Sequence, residues 1–323
     1  MMRYALNPSR SSRLRLLIAA LTVYAAPAPL AQTAKPIVLE YEAAARAGVT
    51  EAVYRFWSLT PDQPIRAILV LNGEGRKNAD DPLWQQFARA NHLALVACLI
   101  EGEYIDAPAG SGNALEEALA AFARQTTHPE IASAPLLLYG ASAGGEFNYN
   151  FVIWKPQRVM AFIVNKGGYY NQQQPDPQAY SVPGFFILGL QDEQYRIDAV
   201  TSMYTEGRQK GALWALAPQP ASGHEFSKTP ALARTFFQSV LQLRLTESSS
   251  RMNPLNESQG WLGNLTTHDI QPTTGNSQSR RQSAWLPDQA SAEAWKEFVL
   301  SDGPLPHAQT AAPPAPVQMH LPQ

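Results

Sequence analysis

From Lys35 to about Leu245, short apolar runs of strand length alternate with stretches of helical period, and this alternation restricts the fold more than any other feature. Ala67–Leu71, Leu93–Ile100, Pro135–Tyr139, Val159–Val164, Gly184–Leu190 and Leu213–Leu216 are apolar at nearly every position, as strands covered on both faces must be. Between them, Asp81–Asn91, Asn113–Gln125, Gly144–Lys155, Ile197–Lys210 and Thr229–Leu245 read as helices. Repeated strand-helix-strand units predict an α/β fold: a mostly parallel sheet of about eight strands with helices on both faces. Pro36–Tyr41 and Ala52–Leu59, separated by few residues, read as an antiparallel hairpin that opens the sheet. The stretch between Val164 and Gly184 is short and polar, too small for a large cap domain, so an open cleft is expected.

The ends differ from this middle. Arg3, Arg10, Arg13 and Arg15 precede the apolar run Leu16–Ala26, which is followed by small residues and prolines. A charged head, a short apolar body and a small-residue exit describe a secretory signal peptide, here residues 1–31. The apolar body falls short of the about 20 residues a membrane span requires. The chain is therefore expected to be exported to the periplasm or the extracellular space, with no stable membrane span after cleavage. Residues 35–245 form the expected catalytic domain. Beyond it, residues 246–302 turn polar but carry Trp261, Trp285 and Trp295, reading as an extension laid along the domain surface with a short helix at Ser291–Leu300. Residues 303–323 are rich in Pro and Ala and read as a disordered tail.

A chain of 323 residues with 45% hydrophobic residues can close one large core. Its net charge of -2 supplies no basic field to draw nucleic acid. The single cysteine, Cys98, sits inside an apolar strand and belongs to the core. The six histidines lack the short paired spacings of zinc sites, so neither metal nor cofactor is expected.

Chemistry concentrates in Gly140-Ala141-Ser142-Ala143-Gly144, set directly between a buried strand and a helix. In a nucleophile elbow the chain turns sharply there, the glycines remove side chains that would collide, and the serine hydroxyl projects above the sheet. The Ala143 amide, at the positive end of the helix, is positioned as an oxyanion donor. A serine hydroxyl needs a base to take its proton. His224 lies in the loop after the last strand of the sheet, whereas His92 and His128 precede strands and so fall at the opposite edge. Asp192 follows Gly189-Leu190-Gln191 at the same edge as Ser142 and can orient the imidazole, with Glu193 beside it as a substitute. The loop Asn72-Gly73-Glu74-Gly75-Arg76 offers the Glu74 amide as a second oxyanion donor. Glu103, Tyr104, Tyr169 and Tyr170, at the ends of strands, are candidates to line the cleft, although Tyr169 and Tyr170 serve equally well to pack a loop.

Leu69–Leu245 resembles the bacterial α/β-hydrolases of the esterase and polyhydroxyalkanoate-depolymerase-like group. Leu71-Asn72-Gly73-Glu74-Gly75 looks like their Leu-His-Gly-x-Gly loop, with Asn72 in place of the histidine. Ser142-Ala143-Gly144-Gly145-Glu146-Phe147 and Trp154-Lys155-Pro156-Gln157-Arg158-Val159 look like the elbow helix and the turn after it. The resemblance implies the fold and a Ser142-Asp192-His224 triad, and hardly constrains the substrate. A carboxylic ester, small or polymeric, is the expected substrate. A secreted serine peptidase on the same fold and a non-catalytic binding protein are the alternatives.

Overall fold

Strands buried on both faces and helices with one apolar side have a single economical arrangement, and the computed structural model adopts it. Described are residues 35–59, 63–73, 75–102, 105–170, 175–226, 228–245, 252–273 and 282–301. The expected signal peptide, Glu74, Glu103, Tyr104 and the Pro/Ala-rich tail lie outside these residues.

The chain opens with β1 (Ile37–Glu42), β2 (Val49–Ser58) and β3 (Ala67–Asn72), followed by α1 (Pro82–Asn91) and β4 (Leu93–Gly102). Next come α2 (Ser111–Gln125), β5 (Leu136–Ala141), α3 (Ala143–Trp154), β6 (Val159–Asn165) and the one-turn α4 (Pro177–Tyr180). The sheet is completed by β7 (Gly184–Gly189), α5 (Gln194–Gln209) and β8 (Trp214–Gln219), and α6 (Thr229–Arg244) follows. The eight strands form one sheet in the order β1-β2-β4-β3-β5-β6-β7-β8. β1 and β2 pair antiparallel, as do β2 and β4, and every later pairing is parallel.

Period-two alternation divides the core between the two faces. Ile68, Val70, Leu136, Leu138 and Phe162 pack with Leu119 of α2, Phe151 of α3 and Tyr204 of α5. Leu69, Leu71, Leu137, Ile163 and Phe185 pack with Trp84 of α1 and Phe236 of α6. Cys98 is in the first of these clusters, and burial pushes its thiol up. Local chemistry fixes the helix ends. Asp81 caps α1 by accepting from the Leu83 and Trp84 amides at 2.8 and 2.9 Å, with Pro82 in the first turn.

The strand order places the site. From β3 the chain crosses by way of α1 to β4 on one side, and α2 then carries it to β5 on the other. A crevice opens beyond the carboxyl ends of strands where the order reverses in this way. Here that reversal falls between β3, which ends at Asn72, and β5, which Ser142 follows.

The polar segment after residue 251 is more than a surface strap. β9 (Trp261–Asn264), β10 (Ile270–Pro272) and β11 (Ser283–Leu286) form a three-stranded sheet in the order β10-β9-β11, and α7 (Gln289–Leu300) follows. The expected short helix is present and begins two residues earlier. Trp285 and Trp295 are interior side chains, and Trp295 joins the core cluster of α6. No helix among the described residues is long and apolar enough to cross a membrane.

Candidate active site

Gly140 and Gly144 flank Ser142 because no other residue fits. A Cβ on Gly140 would lie 2.1 Å from the Gly144 carbonyl oxygen, and one on Gly144 would lie 2.4 Å from that of Asn72. Backbone cannot yield to such contacts, so β3, β5 and the start of α3 approach to a distance that only glycine permits. Gly73, at φ 101°, is held the same way against the Ala141 carbonyl. The turn forces Ser142 itself to φ 52° and ψ -124°. Its amide donates to the Asn165 carbonyl of β6 at 2.8 Å.

A serine at this position could simply cap α3, but the Ser142 hydroxyl makes no cap hydrogen bond. It faces His224 instead: Oγ lies 3.0 Å from Nε2. On the far side of the imidazole, Nδ1 lies 2.7 Å from Oδ2 of Asp192. Asp192 is preferred over Glu193 by position. Its side chain is 4% exposed and its Oδ1 accepts the Glu193 amide at 2.8 Å, whereas the Glu193 side chain is 67% exposed and points toward Arg196. The three side chains thus form one line of hydrogen bonds from an exposed imidazole to an enclosed carboxylate.

Two loops must meet for this, and the backbone binds them together. The Gln191 amide donates to the Ser222 carbonyl at 2.9 Å, and Leu190 donates to Gln219 at 2.9 Å. Gly189 admits the contact, since a Cβ there would lie 2.3 Å from the Gly223 carbonyl oxygen. Ala143 is the first residue of α3, a position whose amide has no intrahelical acceptor. The Asn72 side chain is buried, and its Nδ2 has no partner among the described residues.

Sequence reasoning passed over two buried ionisable groups that shape this edge. Lys166, at the end of β6 with φ 59°, is 1% exposed. Its Nζ donates to Ser222 Oγ at 2.6 Å and to the Glu225 carbonyl, gripping the loop on both sides of His224. The Ser222 hydroxyl in turn donates to Glu225 at 2.5 Å, which, with the Gly223 amide and the nearby Lys166 charge, holds that carboxyl below its ordinary range. Glu146, in the first turn of α3, accepts the Gly168 and Tyr169 amides at 2.7 and 3.1 Å and so pins the loop after β6. Their only sequence signal was polarity inside apolar surroundings.

The two tyrosines of that loop part company. Tyr169 is 54% exposed and stacks at 5.5 Å on Tyr195, itself at the surface. Tyr170 turns inward: its hydroxyl is buried, its ring meets Tyr149 edge-on at 5.4 Å, and burial pushes its phenol well above the usual value. His92 and His128 precede β4 and β5 at the opposite edge, and His268 lies in the extension. Among the described residues no cluster of His, Cys, Asp or Glu could hold a metal ion.

No protein-family model matches the sequence, and no curated protein matches it. Solved structures do. A ferulic acid esterase superimposes with a TM-score of 0.50 at 12% identity, over 64% of this chain and 99% of its own. Poly(aspartic acid) hydrolase-1 from Sphingomonas sp. KT-1 gives 0.44 at 17% identity, over 65% of this chain and 98% of its own. A hyperthermophilic esterase from the archaeon Pyrobaculum calidifontis gives 0.44 at 12%, over 63% and 85%. Likeness at such identity concerns the fold. With the sheet order and elbow described above, the first of these places the chain in the α/β-hydrolase fold.

Proposed function

We propose that the protein is an exported serine hydrolase that cleaves a carboxylic ester by two-step acyl transfer. The observation that carries this reading is the unbroken line from Ser142 Oγ through His224 to Asp192, on a serine held at positive φ and free of any capping bond. His224 Nε2 takes the hydroxyl proton as Oγ attacks the carbonyl carbon, and Asp192 steadies the imidazolium that forms. The oxyanion is held by the amides of Ala143 and Glu74, each donor of this kind contributing about 10²–10³ in rate. His224 then protonates the departing alcohol, and water releases the acid from Ser142 by the same steps in reverse. The exposed Tyr169–Tyr195 pair borders the edge where Asp192 emerges and offers flat apolar surface to one side of the ester. Export rests on the charged and apolar leader of residues 1–31.

Ester and peptide cleavage use the same triad, so turnover decides between them. Purified protein is expected to hydrolyse nitrophenyl acyl esters and to leave peptide nitroanilides intact. Rapid amide turnover with inert esters would replace the esterase reading with a peptidase.

A further inference from the structure

At the amino edge of the sheet a cavity of about 470 Å³ is lined by Ser133, Pro135, Gln157, Arg158, Arg244, Met252 and Pro254. Pro135 precedes β5 and Ser142 follows it, so six residues of strand, at about 3.3 Å each, hold this cavity roughly 20 Å from the triad. It is a separate place, and nothing in it depends on the hydrolase reading.

Its charge is one-sided. Among the described residues, two guanidinium groups line it and no carboxylate does. Arg244 is 8% exposed, yet among the described residues no acid pairs with it. Among the described residues carbonyl oxygens alone accept from it: Nε donates to Asn253 at 3.2 Å, and Nη1 to Met160 at 2.7 Å and Val159 at 3.4 Å. Nη2 is left without a partner among the described residues. Burial accordingly pushes this guanidinium down to about 10. Arg158 donates from Nε to Glu116 at 3.2 Å and from Nη1 to the Ala134 carbonyl at 2.8 Å, while its buried Nη2 has no partner among the described residues. A buried cation without a counter-ion is costly, and unpaired guanidinium donors are costly too. An oxyanion in the cavity would answer both deficits, since the guanidinium fork fits carboxylate and phosphate alike.

We propose that this cavity binds a small organic anion, its carboxylate or phosphate head held by Arg158 and Arg244 and its apolar body against Pro135, Met252 and Pro254. Ser133 and Gln157 supply further hydrogen bonds to the head. The volume matches a ligand larger than a bare ion, and the apolar lining gives such a ligand something to bury.

Titration calorimetry and thermal melting of the full chain test this with inorganic phosphate, hexanoate and, at matched ionic strength, sodium chloride. Saturable binding and a rise in Tm are expected with phosphate or hexanoate and not with chloride, and the stronger of the two identifies the head group. Arg158→Gln should weaken Kd by at least about tenfold, as loss of a charged hydrogen bond does. Met252→Glu, which supplies an internal carboxylate and leaves both guanidinium groups in place, should raise Tm and abolish the response. Absence of saturation, equal effects of chloride, or variants that respond like wild type would overturn the proposal.

Discussion

Ser142 occupies backbone that a residue with a Cβ adopts at a penalty of about 1–3 kcal/mol. The penalty is tolerated because that conformation sets Oγ 3.0 Å from His224. Ser142→Ala and Ser142→Gly both delete the hydroxyl, but only glycine relieves the strain. After allowing about 0.5–1 kcal/mol for glycine's greater freedom in the unfolded chain, S142G is expected to be more stable than S142A by up to about 2 kcal/mol and to melt at a higher temperature. A lower melting point for S142G would show the turn to be unstrained. At this scale much of the site was legible: the glycine spacing, the strand before and the helix after Ser142, and the chain order Ser, Asp, His. The turn before Asp192 and Glu193 could favour one of them, but the enclosure of Asp192 beside His224 was not legible, because neighbouring residues share enclosure unequally and sequence does not display it. Lys166 and Glu146 were invisible for a related reason. Lys166 meets Ser222, 56 positions away, and no local pattern announces such a partner.

At the scale of elements, the His224 loop is a tethered segment rather than a rigid one. Its backbone hangs from the Asp192 loop, and the buried Lys166 ammonium donates to its Ser222 hydroxyl and its Glu225 carbonyl. Lys166→Met keeps the bulk and removes the donors, so Ser222 and the Glu225 carbonyl lose their shared partner and His224 drifts from Ser142. Because displacement by about 1 Å can lower a rate roughly 10²-fold, kcat for an ester is expected to fall about 10- to 100-fold with KM little changed. Lys166→Arg should restore part of the loss. An equal fall in kcat and in the folded fraction, followed by thermal melting, would assign Lys166 to stability alone. Elements were read from the sequence to within a few residues, and the larger misses have physical causes. β8 runs on through Pro218 to Gln219 where the apolar pattern stops at Leu216, since an edge strand tolerates a residue without an N–H. The strands β9–β11 went unseen, because three or four residues of mixed polarity carry no period.

For the whole molecule, the extension and the sheet share one interior. Trp295 donates its indole N–H to the Leu216 carbonyl at 2.7 Å, and its ring fills the space that Gly263 leaves open. Arg208, fully buried in α5, reaches the Ser283 carbonyl at 3.0 Å and Glu257 at 3.0 Å, clasping the extension from the other side. The sequence showed that the tryptophans of the extension must find cover, but could not show that Trp295 enters the core cluster of α6 and the main sheet. Trp295→Ala is therefore expected to destabilise the entire fold by about 3–5 kcal/mol in a single denaturant transition. A separate early transition that spared ester hydrolysis would instead mark the extension as an independent unit. What joins all scales is the assignment of Ser142 as the nucleophile, and a fluorophosphonate reagent followed by intact-protein mass spectrometry tests it most directly. One adduct on wild type, mapped to Ser142 and absent from S142A, is the predicted result. No adduct on folded wild type, or the same adduct on S142A, would contradict it.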